Sequence, residues 1–255
     1  MRKFFAVCLF IGFSHTVQAF TLRFVAEELP PYHYYDEQGQ AQGVLVDVVK
    51  NVIGRTPYKA NFELMPMARA FYELAHSPNT LMFSLLKTQQ REAELQFLGS
   101  TYYATAFLFG LKSTTKTLTH LDDARRMRVS TIRGYHSATY LQARGFSEED
   151  NLVLVSEYHS LWQMLYLGRT DLVMTNALTI EKEIKDSGLN ADLVEAKLAL
   201  YDFPSQLHIA AAKTFDPQIA KNLTQALIAT KNSGDYAKIL DKWNVAQPIK
   251  NTLFD

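Results

Sequence analysis

Residues 22–54 read LRFVAEELPPYHYYDEQGQAQGVLVDVVKNVIG, and this stretch decides the fold class. Leu22 to Ala26 is a short apolar run and reads as a buried strand. Leu45, Val48, Val49, Val52 and Ile53 then recur at i, i+3, i+4, i+7 and i+8, the spacing of one helix face, and Gly54 stops the helix. Further strands are predicted at Phe62 to Met65 and Leu81 to Leu85, with a helix from about Met67 to His76 between them. Strand, helix, strand, helix, strand is the pattern of parallel βαβ units.

The pattern breaks at Tyr102 to Leu111, which is extended and aromatic, and at the polar stretch Lys112 to Thr119. A new series follows: strand Met127 to Ile132, helix Tyr135 to Ala143, strand Leu152 to Val155, helix Ser160 to Leu167, strand Leu172 to Thr175, helix Leu178 to Lys185. A second α/β unit therefore sits inside the chain. After a strand at Leu207 to Ala212, Asp216 caps a helix with Pro217 at its first position, and Ile219, Leu223, Ala226 and Leu227 line one face. A last helix carries Tyr236, Ile239, Leu240 and Trp243. Both follow the second sheet and are expected to cover the first. The arrangement predicts two lobes with crossings near Leu108–Gly110 and Ile209–Ala211, and a ligand cleft between them at the carboxyl ends of the strands.

The 255 residues carry 26 basic and 26 acidic side chains, so there is no basic stripe for nucleic acid, and 47% hydrophobic residues exclude a disordered chain. Arg2 and Lys3 precede the apolar run Phe4 to Phe13, and Val17-Gln18-Ala19 places small residues where a signal peptidase reads. The run is about half of the roughly 20 residues a membrane span needs, so residues 1–19 read as a secretory signal cut after Ala19. Cleavage removes Cys8, the only cysteine, which interrupts the apolar run instead of following it as a lipidation site would. Disulfide, zinc-thiolate and cysteine-nucleophile chemistry are then excluded from the exported chain.

There is no GxGxxG, P-loop, GxSxG or HExxH, and the histidines never fall in a metal-ligand spacing. No cofactor and no metal are expected. The segment Phe83-Ser84-Leu85-Leu86-Lys87-Thr88-Gln89-Gln90-Arg91-Glu92 stands at the end of the third strand. Arg91 can grip a carboxylate bidentately, with Thr88 or Ser84 donating a hydroxyl. Equally, Thr88 can cap a one-turn helix and Arg91 can be a solvated charge.

Four motifs in register carry a resemblance. Glu27-Glu28-Leu29-Pro30-Pro31-Tyr32 with Asp36, Gly39, Gly43 and Asp47, then Thr88-Gln89-Gln90-Arg91-Glu92, Gly168-Arg169-Thr170-Asp171-Leu172 and Lys242-Trp243, resemble the family 3 periplasmic solute-binding proteins over about Leu22 to Asn244. The resemblance implies an α/β, two-lobed type II periplasmic binding fold, each lobe a mostly parallel sheet flanked by helices, with a two-strand hinge. Lobe 1 is then 20–108 and 211–255, lobe 2 109–210. It implies that Arg91, helped by Thr88, binds a ligand α-carboxylate, and that the turn Arg133-Gly134-Tyr135-His136-Ser137 offers a helix start to the same anion. Met67 stands nearest the family's aromatic platform, and Arg69 is a second cationic candidate or a solvated helix residue. Side-chain specificity depends on which of Tyr32, Tyr34, Phe71, Tyr102 and Tyr135 face the cleft, and a tyrosine at such spacing is more often packing than platform.

The departures are specific. Asn176 stands where amino acid receptors of this family carry an aspartate for the ligand's ammonium group, which removes a charge-assisted contact. Leu86 replaces a hydroxyl residue, and Tyr135 and His136 replace small ones. Glu27 is the candidate replacement anion, or else a surface residue. The resemblance therefore implies a monomeric periplasmic protein that closes over a small carboxylate ligand, an amino acid or a relative, for an ABC permease. The rivals are a sensory or orphan binding module and a cyclohexadienyl dehydratase-like enzyme, for which only Glu27 or His136 stands as general acid or base. N-terminal sequencing of the exported protein is expected to begin at Phe20; a chain beginning at Met1 would overturn the cleavage.

Overall fold

Strand β1 (Thr21–Ala26) forms because Leu22, Phe24, Val25 and Ala26 are all buried, which needs cover on both faces of a sheet. The computed structural model describes residues 20–177 and 179–245, so the expected signal at 1–19 lies outside the described residues. After a small hairpin, β2 (Tyr34–Tyr35) with β3 (Ala41–Gln42), helix α1 (Val44–Ile53) lays seven buried residues against the sheet. Then come β4 (Lys59–Leu64), α2 (Met67–His76), β5 (Thr80–Leu86), α3 (Gln89–Glu94) and β6 (Leu95–Tyr103). The second unit is β7 (Ala106–Leu111), β8 (Val129–Ile132), α4 (His136–Ala143), β9 (Leu152–Val155), α5 (Tyr158–Tyr166), β10 (Leu172–Asn176), α6 (Ile180–Asp186) and β11 (Val194–Leu200). The chain returns through β12 (Gln206–Ala212), α7 (Pro217–Asn232) and α8 (Asp235–Lys242). The predicted helix start at Leu178 lies outside the described residues.

The sheets are ordered β4-β1-β5-β12-β6 and β11-β7-β10-β8-β9. In the first, β4, β1, β5 and β6 run one way and β12 the other; in the second, only β7 opposes its neighbours. Each sheet is packed on both faces. Phe24, Leu81, Phe83 and Ile209 meet α1, α7 and α8, while Val25, Met82 and Ala210 meet Ala70 and Leu74 of α2. The last two helices thus cover the first sheet, as expected, and Asp216 caps α7 by accepting from Gln218 N and Ile219 N. Asp47 of α1 accepts from Lys242 Nζ (2.7 Å) and Trp243 Nε1 (2.9 Å), which pins the end of α8 to the start of the chain.

Two expectations need correction. The run Tyr102 to Leu111 is two strands in different sheets, and strands β6 and β11 extend beyond what apolar patterning marks. Strand β11 is an edge with a register shift at Lys197, so its polar residues mask it. The crossings lie earlier than Leu108–Gly110 and Ile209–Ala211. All of β7 pairs with β10 and β11, and all of β12 with β5 and β6, so the chain changes sheets between Tyr103 and Ala106 and between Leu200 and Gln206. The edges 108/109 and 210/211 would cut both strands. The crossings run side by side, with Ala104 N donating to Ser205 O (2.8 Å).

The loop before α1 depends on Gly43. Its φ is +128°, and α1 docks on the loop through Val44 N to Pro31 O and Leu45 N to Tyr32 O, both 3.0 Å. A Cβ at Gly43 would lie 2.3 Å from Tyr32 O, whereas one at Gly39, φ +72°, meets nothing within 4 Å. Gly43→Ala is therefore expected to cost more than about 2 kcal/mol in urea unfolding and Gly39→Ala about 1 kcal/mol; equal costs would overturn the role of Gly43.

Candidate functional site

The carboxyl ends of β1, β5, β8 and β10 converge on a cavity of about 150 Å³ between the lobes. Glu27 follows β1, Ser84 stands on β5, Met67 opens α2, and Arg91 projects from α3. The second lobe contributes Tyr135 and His136 at the start of α4, Thr175 and Asn176 at the end of β10, and Tyr158 of α5. Phe203, on the second crossing, completes one wall. The lining is otherwise mostly apolar, with Leu29, Leu86, Ile132 and Leu161.

Arg91 is placed by its own short helix. Thr88 caps α3, its Oγ1 accepting from Arg91 N (3.3 Å), so Thr88 holds Arg91 and does not itself line the cavity. The guanidinium donates to Leu86 O (2.9 Å) and stacks 5.2 Å from the centre of the Phe71 ring. Among the described residues it meets no carboxylate, and burial pulls its pKa down. Such a cation has lost much of its water without gaining a counter-ion, a costly state that an anionic ligand relieves.

Glu27 is the opposite pole. Burial raises its pKa, and the Tyr135 hydroxyl, donating to Oε1, partly offsets this. Tyr135 in turn meets the Tyr158 hydroxyl at 3.0 Å. The backbone is held by His33, whose Nδ1 lies 2.5 Å from Glu27 O and whose Nε2 lies 2.7 Å from Ser84 Oγ. Burial drives His33 down to about 4, so the ring is neutral. Because a carbonyl only accepts, Nδ1 carries the proton and Nε2 accepts from Ser84. Ser84 therefore spends its proton on His33 and faces the cavity as an acceptor, not as the donor the sequence suggests.

The remaining candidates separate cleanly. Tyr32 is wholly buried outside the cavity lining and donates to Asn176 Oδ1 (3.4 Å), which also accepts from Thr179 at 3.4 Å. His136 is held neutral by burial and by the Arg91 charge, both of which lower its pKa, and its ring lies 5.4 Å from that of Phe203. Arg69 is excluded from the cavity: its side chain is 63% exposed and pairs with Glu73 one helical turn on, so it is the solvated helix residue. Ser137, at the end of the turn marked in the sequence, does line the cavity, whereas Tyr158, Thr131 and Phe203 carry no mark in the sequence, because α5, β8 and the second crossing meet only through tertiary packing. The lobes meet through Glu27 with Tyr135 and Tyr32 with Asn176.

Among the described residues no group of three or more His, Cys, Asp or Glu side chains is placed to hold a metal, and no helix is long and apolar enough to cross a membrane. What the cavity offers is one unpaired cation, one unpaired carboxyl and neutral hydrogen-bonding groups. Two kinds of known protein share this frame. The chain is 22% identical to the "Probable histidine-binding protein" of Neisseria gonorrhoeae over 85% of this chain and 80% of that one. Its fold matches a histidine kinase sensor domain similar to periplasmic binding proteins, with a TM-score of 0.78, 18% identity and coverage of 91% and 98%. It also matches an ancestral arginine-binding protein bound to arginine, with a TM-score of 0.73, 22% identity and coverage of 88% and 97%. The family model that matches residues 22–246 takes in both sheets and every cavity residue, and by that match the chain belongs to the bacterial extracellular solute-binding proteins, family 3.

Proposed function

We propose that this protein captures a small zwitterionic carboxylate, an amino acid or a close relative, in the cavity between its lobes and delivers it to an ABC-type permease from outside the cytoplasmic membrane. The observation that carries the reading is Arg91, a largely buried guanidinium with no carboxylate partner among the described residues. The ligand carboxylate pairs with Arg91, and the start of α4 adds its backbone dipole from the other lobe. The cationic group turns to Glu27, because Asn176 has an amide in place of a charge. Closure is hinge motion at the two crossings, which excludes water around both charges. The leader, export and a monomeric state complete the reading; the family and its amino-acid-binding relatives support binding in preference to turnover. The sensor-domain likeness favours one further use, in which the closed form reports to a membrane receptor instead of a permease.

A thermal-shift screen against amino acids, small mono- and dicarboxylates and polyamines tests this. At about 100 times its dissociation constant a ligand adds roughly 2.7 kcal/mol, several degrees for a chain of this size. Arg91→Ala is expected to weaken the hit by at least about thirty-fold, as loss of one partner of a buried charge pair costs about 2 kcal/mol or more. Full affinity in that variant would overturn Arg91 as the anchor. Glu27→Gln is expected to weaken ligands with a cationic group about ten-fold and to leave monocarboxylates unchanged. Ligand recovered unchanged by mass separates binding from the dehydratase-like reading.

A further inference from the structure

Among the described residues, the only buried side-chain nitrogen or oxygen without a hydrogen-bond partner is Oε1 of Glu183. This residue stands on α6 in the second lobe and has no part in the ligand site. Its Oε2 accepts from the indole Nε1 of the fully buried Trp162 (2.8 Å). It borders an inter-lobe groove whose opposite wall is the segment from Glu28 to Glu37 of the first lobe.

Apart from the Trp162 indole, the groups around it give its charge no support. From the first lobe, the nearest titratable groups are Glu27 and the Tyr32 hydroxyl; from the second, the hydroxyls of Tyr135 and Tyr158. On its own helix, Lys182 is paired with Asp186 (2.8 Å), and His159 of α5 is bound to Gln163 (2.7 Å). The groove wall adds the acids Glu28, Asp36 and Glu37 and the hydroxyls of Tyr34 and Tyr35, and no cation. An ionised Glu183 thus faces neutral hydroxyls and other carboxyls, one of them carried by the opposing lobe.

We propose that Glu183 is a proton-binding site coupled to the cleft: it takes up a proton from solvent when the lobes close and returns it when they part. In this arrangement burial pushes Glu183 up to about 7, outweighing the Trp162 hydrogen bond, and Glu27 adds to the rise. Parting the lobes withdraws Glu27, Tyr32 and the 28–37 segment, admits water, and returns the group toward its ordinary 4.5. A group whose pKa is higher in the closed form binds its proton there, so its contribution to closure is fully present below the ordinary value and lost as pH rises through 7. With these two values the closure equilibrium falls about thirty-fold between pH 5.5 and 8.5. Glu27 is raised as well and acts in the same sense, while His136 is lowered and opposes it at acid pH.

Trp162 is a built-in reporter. The protein has two tryptophans, so Trp243→Phe leaves the indole that bonds Glu183 as the only one. Its fluorescence, without added ligand, is expected to titrate with a midpoint near 7, and the step should vanish in Glu183→Gln, which mimics the protonated side chain. Small-angle scattering is expected to give a larger radius of gyration at pH 8.5 than at 5.5, with most of that difference lost in Glu183→Gln. A midpoint in the ordinary carboxylate range, or the same step in the glutamine variant, would overturn the site. A step near 7 with a radius that does not change with pH would overturn its coupling to closure. The fluorescence midpoint is read on the native Glu183, so a poorly folding variant does not leave the proposal unread. No ligand enters, so a silent ligand screen and a failed proton site remain separate results.

Discussion

Arg91 and Glu27 share one small cavity and do not touch each other. Each has given up most of its water, which costs several kcal/mol for an unpaired ion, and each is held by neutral dipoles: the Leu86 carbonyl and the Phe71 face for the guanidinium, the Tyr135 hydroxyl for the carboxyl. The fold has to hold these charges apart. It does so by setting them on different elements of the first lobe, Glu27 after β1 and Arg91 on α3, which follows the neighbouring strand β5, with the apolar Leu86 and Met67 in the same lining. The second lobe brings no compensating charge. Tyr135, the neutral His136 and Asn176 line the cavity but leave both poles uncancelled, the pattern that supports the proposed ligand, one carrying both signs.

That division of labour rests on two sheets, each with its own core. Each sheet is covered on both faces by its own clusters of buried side chains. Strands β7 and β12 are the two that oppose their neighbours, and they are also where the chain arrives after crossing. A strand entering a sheet from the opposite lobe starts at the cleft edge, where the parallel strands end, so it must run backward. The topology therefore puts the hinge, the strand ends and the ligand groups on one plane. Side-chain bonds that cross that plane among the described residues include Glu27 to Tyr135 and Tyr32 to Asn176.

The fold was legible where burial is one-dimensional. The run at Leu22–Ala26, the helix face from Leu45 to Ile53 and the Asp216-Pro217 cap are local statements about which residues meet water, and the structure has each of them. The motif residues mark mainly structure: Asp36 caps its own turn by accepting from Gln38 N and Gln40 N, Asp171 accepts from Arg128 N, and Asp47 holds Lys242 and Trp243. The site was legible only in part. Arg91, Glu27, Met67, Tyr135, His136 and Asn176 do converge, but whether Arg69 faced inward depended on Glu73, its partner one turn away. The direction of the Ser84 proton depended on a buried histidine six residues from Glu27 in sequence and fifty-one from Ser84. Such facts live in tertiary contacts that no periodicity encodes.

Asn176 then follows from the charges around it. The lobes bring Glu27 close enough to Glu183 to raise its pKa, and both have lost solvent. A carboxylate at position 176 would be a third acid in a region where Arg91 is the cation of the cavity, and it would sit against the hydroxyls of Tyr32 and Thr179 with no cation of its own. An amide accepts from both hydroxyls at no charge cost. With Glu27 in the proposed anionic role, the cavity stays near neutrality and the negative pole stands on the same lobe as Arg91. Both poles then stand on one lobe, so the proposed closure would change their solvation and leave their spacing as that lobe sets it.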